Sequence, residues 1–77
     1  MNNFYPDEQV VVLTNIPMYY LENTTRRIHK GVIYAHFPDR RRYLVKIESK
    51  IPNFIIEVMD YDIFKLEHLE SLLALYE

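Results

Sequence analysis

Four short apolar runs, β-branched or alternating with polar residues, are spaced along this 77-residue chain. A period of two is typical of a β-strand with one face in a core, and the runs predict strands at residues 8–16, 28–37, 41–48 and 54–60. The first run is β-branched nearly throughout, so we predict that it is largely buried on both sides or central in the sheet. A tight connection is predicted at residues 38–40 and a turn at 49–53.

The third and fourth runs alternate strictly enough to assign each side chain to a face. Facing inward we expect Tyr43, Val45, Ile47, Phe54, Ile56 and Val58. The opposite face carries Leu44, Ile55 and Met59 among charged residues, so apolar side chains are also predicted on the outside of the sheet. A contiguous outward patch of this kind favours a contact surface.

After Asp60 the period of two gives way to a helical period. The apolar stripe consists of Leu66, Leu69, Leu73 and Tyr76. This spacing predicts a helix over residues 66–76. A single turn at 61–65 precedes it and leads either into a final short strand or straight into the helix. A helix this short needs a surface to bury its apolar face, and we expect its own sheet to provide that surface; a second subunit or a partner's groove is the alternative.

Closely spaced strands in a chain this short predict a small antiparallel β-barrel, because closure removes the exposed edges of a lone four-stranded sheet. The expected fold is one mainly β domain. It has a barrel of four to five strands at about residues 8–60 and a helical tail at about 61–76.

Four segments carry a recognisable layout: Val10-Val11-Val12-Leu13 followed by Ile16-Pro17 and a long loop, Lys30-Gly31-Val32-Ile33, Arg42-Tyr43-Leu44-Val45-Lys46-Ile47, and Asp60-Tyr61-Asp62-Ile63-Phe64-Lys65-Leu66-Glu67. Over roughly residues 8–67 the chain resembles the small SH3-like barrels, especially the KOW type, and a group of uncharacterised short bacterial proteins. It departs from them in lacking glycines in the first loop and in its leucine-rich tail. The resemblance implies an SH3-like binding module with no catalytic residues to carry over.

Residue types exclude several kinds of site. The chain has no cysteine, so it has neither disulfides nor a thiolate for metal binding or catalysis. His29 and His36 are seven residues apart, which predicts opposite faces of a regular strand and disfavours a shared metal. There is no motif of an activated nucleophile and no glycine-rich phosphate loop. We therefore predict no cofactor, no metal and no enzymatic activity.

No apolar run approaches the ~18–20 residues that cross a bilayer. The first eight residues lack the charge and the apolar stretch of a signal peptide. We therefore expect a cytoplasmic protein that makes no contact with a membrane.

Charge is segregated along the chain, although the net charge is only −2. Residues 26–50 carry eight basic and two acidic side chains, whereas residues 57–77 carry one basic and six acidic ones. The basic segment contains Arg40, Arg41 and Arg42 and the interleaved aromatic residues Tyr34, Phe37 and Tyr43. Three alternatives follow: a solvated basic hairpin, contact with an acidic protein, or nucleic-acid binding with bases stacked on the rings. The acidic flanks disfavour nucleic acid because they repel a phosphate backbone.

The predicted loop at residues 17–27 is unusually apolar for a surface connection, since it contains Met18, Tyr19 and Tyr20. Either this loop folds over the end of the core or it is an exposed contact patch. A core this small needs every apolar residue, which favours the first alternative. Tyrosine is enriched at the centres of interfaces and methionine adapts to a partner's surface, which favours the second.

These features predict a non-catalytic module that binds another protein. Its contact residues are predicted to be Met18, Tyr19, Tyr20, Tyr34, Arg40, Arg41, Arg42 and Leu44. A stoichiometric inhibitor, immunity protein or antitoxin of bacterial or phage origin is the expected role, and the molecule is expected to be a monomer or a weak homodimer. The alternative is an RNA- or DNA-binding KOW-like barrel that uses the basic central strands.

Overall fold

Five antiparallel strands form one sheet in the computed structural model, which describes residues 4–14, 27–49 and 51–76. The strands are β1 (Gln9–Leu13), β2 (Ile28–Phe37), β3 (Arg42–Ile47), β4 (Ile55–Met59) and β5 (Ile63–Lys65). The order across the sheet is β4-β3-β2-β1-β5. Short 3-10 turns at Pro38–Arg40, Asp60–Asp62 and Leu66–His68 precede β3, β5 and the helix α1 (Leu69–Tyr76), respectively. The predicted mainly β class with a C-terminal helix is confirmed.

Closure of the predicted barrel by backbone pairing is not seen among the described residues, where β4 pairs only with β3 and β5 only with β1. The two edge strands nevertheless contribute to one core, since Val58 of β4 and Ile63 of β5 belong to the same buried cluster. Side-chain packing therefore joins the two edges of the sheet without a ladder of hydrogen bonds between them.

Element boundaries follow the apolar pattern closely. The second strand has the predicted bounds, and the third and fourth are each one residue shorter at either end than predicted. The first strand ends at Leu13, and the last predicted residues of that run lie outside the described residues. Of the two alternatives after Asp60, the structure has the single turn that leads into a short strand.

The sheet buries side chains on both of its faces. One face forms the inner core of Phe4, Val10, Val12, Ile33, Tyr43, Val45, Ile47, Val58 and Ile63, with Phe54 and Ile56 against it. The other forms a smaller cluster of Val11, Ile28 and Leu72, with Leu13, Phe64, Leu69 and Leu73 against it. The first strand lies between the two clusters, which confirms its predicted burial on both sides. The inward assignments on the third and fourth strands are also confirmed.

The helix packs on its own sheet as expected, through Leu69 and Leu73 of the predicted stripe together with Leu72, which was not predicted. Leu72 is its buried residue, whereas Leu66 and Tyr76 are exposed. The predicted stripe assumed one continuous α-helix from residue 66. The first three residues form a 3-10 turn with three residues per turn, and this changes the phase of the side chains that follow.

An N-terminal segment that the apolar pattern left unassigned completes the inner core. Phe4 is 2% exposed, and its ring meets the Tyr43 ring edge-on with the centroids 5.6 Å apart. The Phe4 amide donates a hydrogen bond to the Tyr43 hydroxyl at 3.3 Å. Further along, Asp7 donates to the carbonyl of Ile33, and the Ile33 amide donates to the carbonyl of Glu8, which ties the segment to β2.

A salt bridge holds this segment to β5 and makes the stability depend on pH. Lys65 donates to Glu8 at 2.7 Å, and the Tyr5 amide donates to the same carboxylate at 3.1 Å. The pKa of Glu8 lies below its ordinary value, chiefly because Lys65 donates this hydrogen bond to its carboxylate. Because the folded-state pKa is the lower one, the stabilisation is present above the unfolded-state pKa and is lost as the pH falls through the folded-state pKa.

We expect Glu8→Gln to lower the free energy of unfolding near neutral pH by about 0.5–1 kcal/mol, the range of a partly exposed pair. The variant should also flatten the fall in stability between about pH 5 and pH 3. Urea denaturation across that range measures both effects. Glu70→Gln removes the same charge from an exposed helix position and should keep the wild-type slope. Equal slopes for Glu8→Gln and wild type would contradict the assignment.

Candidate functional site

Helix α1 packs against only part of the sheet's second face. Among the described residues no side chain of β3 or β4 belongs to the cluster beneath the helix. We call the part of this face outside that cluster the outer face; its aliphatic side chains are half-buried. It consists of Val32, Ala35, Phe37, Arg42, Leu44, Lys46, Ile55, Glu57 and Met59. The register places these residues side by side, with Leu44 opposite both Ala35 and Glu57. The outward prediction for Leu44, Ile55 and Met59 is therefore confirmed.

A β-bulge in β2 exposes Tyr34. The register shifts there, so that Ile33 lies opposite Val45 while Ala35 lies opposite Leu44. Tyr34 is the extra residue of the bulge and is 57% exposed. Such a bulge re-aims a side chain without ending the strand. Tyr34 thus precedes Ala35, the residue opposite Leu44, and its side chain is open to solvent.

The same bulge overturns the prediction for the two histidines. His29 lies opposite Val12, and His36 lies opposite Tyr43, so both are on the inner side of the sheet. The extra residue shifts the alternation of inward and outward side chains by one position, so residues seven apart lie on the same face. Their spacing along an extended strand is still about 20 Å, too far to share a metal. In the described part of the chain, no group of three or more metal-ligating side chains comes together.

Two of the three consecutive arginines are paired with carboxylates. Arg41 donates to Asp60 at 3.0 Å, and Arg42 donates to Glu57 at 2.7 Å. The charge segregation of the sequence is therefore partly cancelled in space, because the basic third strand pairs with the acidic fourth. Arg40 forms no such pair with a described residue, and its guanidinium lies 6.0 Å from the centre of the Phe37 ring.

Arg41 is tied to the turn more tightly than its neighbours. Its backbone is left-handed, with φ 57° and ψ 38°, and its amide donates to the carbonyl of Pro38. Its carbonyl accepts a hydrogen bond from the Asp60 amide at 2.9 Å. These bonds, together with the side-chain pair to Asp60, give Arg41 a structural part in the turn, although its side chain is exposed.

The structure brings together part of the predicted contact set. Arg42 and Leu44 lie on the outer face, Tyr34 lies at the bulge that adjoins it, and Arg40 lies at the end of that face with Phe37. The predicted loop residues Met18, Tyr19 and Tyr20 lie outside the described residues. Comparisons with protein-family models, with curated proteins and with solved structures find no significant match for this chain. The functional argument therefore rests on the geometry of the outer face.

The three aromatic residues suggested for base stacking have separate environments. Tyr43 is buried in the inner core, where its ring stacks with that of His36 at a centroid distance of 4.0 Å. Tyr34 and Phe37 remain open to solvent. The exposure of Phe37 could not be read from alternation, because the bulge before it changes which residues face outward.

None of the described helices is of a length and apolarity that would carry it across a membrane.

Proposed function

We propose that this chain is a non-catalytic protein-binding module whose outer face contacts another protein. The observation that supports the proposal is the composition of that face. An antiparallel sheet with one face in water normally alternates between apolar residues inside and polar residues outside. Here the half-buried Leu44, Ile55 and Met59 occupy outward positions on neighbouring strands that α1 does not contact, so the alternation breaks down there.

The exposed aromatic residues beside this apolar patch strengthen the proposal. Tyrosine and arginine are enriched among the residues that dominate binding energy at protein interfaces. Tyr34 projects from the bulge that adjoins the outer face, and Arg40 lies against the exposed Phe37 ring. An apolar centre with aromatic and arginine side chains at its margin matches the general composition of an interface core and rim.

Protein is favoured over nucleic acid by the ion pairs. A phosphate backbone binds mainly through cations that release their counterions. The pairs of Arg41 with Asp60 and of Arg42 with Glu57 place carboxylates beside two of the three arginines. Phosphate would have to compete with those carboxylates and approach them closely. The narrower role of a stoichiometric inhibitor, immunity protein or antitoxin is the form of this proposal that the small size of the chain favours.

Two surface tyrosines make a matched test. Tyr34 and Tyr61 are 57% and 64% exposed, but only Tyr34 borders the outer face. The partner is first identified by cross-linking to the wild-type protein in a lysate of the source organism. We expect this partner, once purified, to bind the purified protein directly. Tyr34→Ala should weaken that binding by at least about tenfold, whereas Tyr61→Ala should leave it unchanged. Isothermal titration calorimetry with the purified partner measures both.

Equal affinity of wild type and of the Tyr34→Ala and Leu44→Ser variants would remove the outer face from the interaction. A second arm titrates labelled RNA and DNA at low salt. Tight binding that weakens steeply with salt, and that is lost when Arg40 and Arg42 are replaced by glutamine, would support the nucleic-acid alternative instead.

A further inference from the structure

A pocket of about 450 Å³ lies where the outer face meets the start of the helical tail. Its floor includes Gln9, Val32 and Lys46, which lie side by side on β1, β2 and β3. Leu66 and Leu69 form one wall, and the turn between β3 and β4 forms the other. Pockets that bind small molecules have about 300–1,000 Å³ of volume and a mostly apolar lining, so this one is large enough for a small ligand.

The pocket accounts for a leucine that the helix does not bury. Leu66 belongs to the predicted apolar stripe, yet it does not pack in the cluster beneath the helix and instead lines the pocket wall. Ile51 and Pro52 are apolar lining residues from the connection between β3 and β4. Together with the two leucines they provide a binding site for an apolar group.

The wall formed by the turn between β3 and β4 is held in shape by its own hydrogen bonds. The Ser49 hydroxyl donates to the carbonyl of Ile51 at 3.1 Å and accepts from the amide of Ile51 at 3.0 Å. The Ile47 amide donates to the carbonyl of Phe54 at 2.8 Å, which closes the base of the turn. These bonds fix the lining residues Ser49 and Ile51 relative to each other, and preorganisation of lining residues raises affinity.

The charged groups among the described lining residues sum to one positive charge. Lys30 and Glu48 neutralise each other across 3.7 Å at an exposed position, whereas Lys46 makes no ion pair within the described part of the chain. An ammonium group beside apolar walls favours a ligand that presents a carboxylate next to an apolar body. Gln9 and Asn53 add amide groups for further hydrogen bonds.

We propose that this pocket binds a small amphipathic carboxylate, with its apolar body between Leu66, Leu69 and Ile51 and its carboxylate at Lys46. The inference is independent of the proposed protein partner, because it rests on the lining and charge of the pocket. It assigns a second binding activity to the protein and places it at one end of the outer face.

Three probes with the same eight-carbon body test the assignment: octanoate, octan-1-ol and octylammonium. In ¹⁵N-labelled protein we expect octanoate to shift the amide resonances of Gln9, Val32, Lys46 and Leu69. Octanoate should bind about fivefold more tightly than octanol, the upper range of a partly exposed ion pair, and octylammonium should bind most weakly. Lys46→Gln should reduce octanoate affinity to that of octanol without affecting octanol.

Arg27→Gln is the matched control, since it removes an exposed cation that neither lines the pocket nor belongs to the outer face, and it should leave all three affinities unchanged. Equal binding of octanoate and octanol to the wild type, tighter binding of octylammonium, or resonance shifts away from the pocket would each overturn the proposal. A peptide with a C-terminal leucine that binds the same residues more than tenfold tighter than octanoate would also overturn the proposal. The pocket would then be a site for the C-terminus of a peptide.

Discussion

Replacing Phe4 with alanine is expected to lower the free energy of unfolding by about 3–5 kcal/mol, the usual range for a buried phenylalanine. The ring is almost fully buried, packs edge-on against Tyr43 and lies 4.8 Å from the Lys65 ammonium. The truncation would leave a cavity in the largest cluster of the molecule. A domain of this size has only ~4–12 kcal/mol of stability, so a large part of it depends on this one side chain.

Tyr5→Ala is the control for that experiment, because the neighbouring ring is 67% exposed. Its effect should stay within about 0.5 kcal/mol, as for most surface substitutions. Urea denaturation followed by circular dichroism compares the two variants with the wild type. A Phe4→Ala protein as stable as Tyr5→Ala would show that the N-terminal segment does not contribute to the core.

Replacing Gly31 with alanine is expected to destabilise the protein by about 2–3 kcal/mol, the upper part of the range for overpacking. A Cβ atom at this position would lie 2.6 Å from the carbonyl oxygen of Lys46 and 2.9 Å from a methyl group of Val45. The first of these atoms is backbone, so β2 and β3 would have to separate. The gain of ~0.4–1 kcal/mol from a stiffer unfolded chain is too small to offset the clash.

Lys30→Ala is the adjacent control, because that side chain is exposed and loses only a 3.7 Å pair with Glu48. Its effect should stay below about 1 kcal/mol. Thermal unfolding of both variants, with amide spectra to follow the resonances of β2 and β3, measures the difference. If Gly31→Ala matched or exceeded the stability of the wild type, the close approach of the two strands at this glycine would be wrong.

Most of the sheet follows from local patterns. Alternation over residues 42–47 and 55–59 assigned each side chain to the correct face, because the two-residue period is set by the geometry of a strand alone. The three valines of the first strand likewise indicated burial on both sides. Helical periodicity located α1 and two of its packing residues, Leu69 and Leu73, but it missed Leu72 because a 3-10 turn begins the tail.

The candidate site was less predictable because it depends on irregular or distant contacts. The bulge at Tyr34 is a shift in the register between β2 and β3, and the apolar pattern of neither strand predicts it. Neutralisation of Arg42 by Glu57 depends on the register of β3 against β4. The pocket is formed by a turn, three strands and the helical tail, and no segment contains enough of its lining to be recognised alone.

By itself, the sequence determined four of the five strands, the faces of β1, β3 and β4 and the presence of a terminal helix, since these depend on the spacing of apolar residues within each segment. Only the tertiary structure decided which charges remain unpaired, which aromatic rings stay exposed and that Phe4 enters the core. Those outcomes depend on contacts between residues far apart in the chain, such as Lys65 with Glu8 and Phe4 with Tyr43. Local spacing carries no information on such contacts, because they are set by strand order and register.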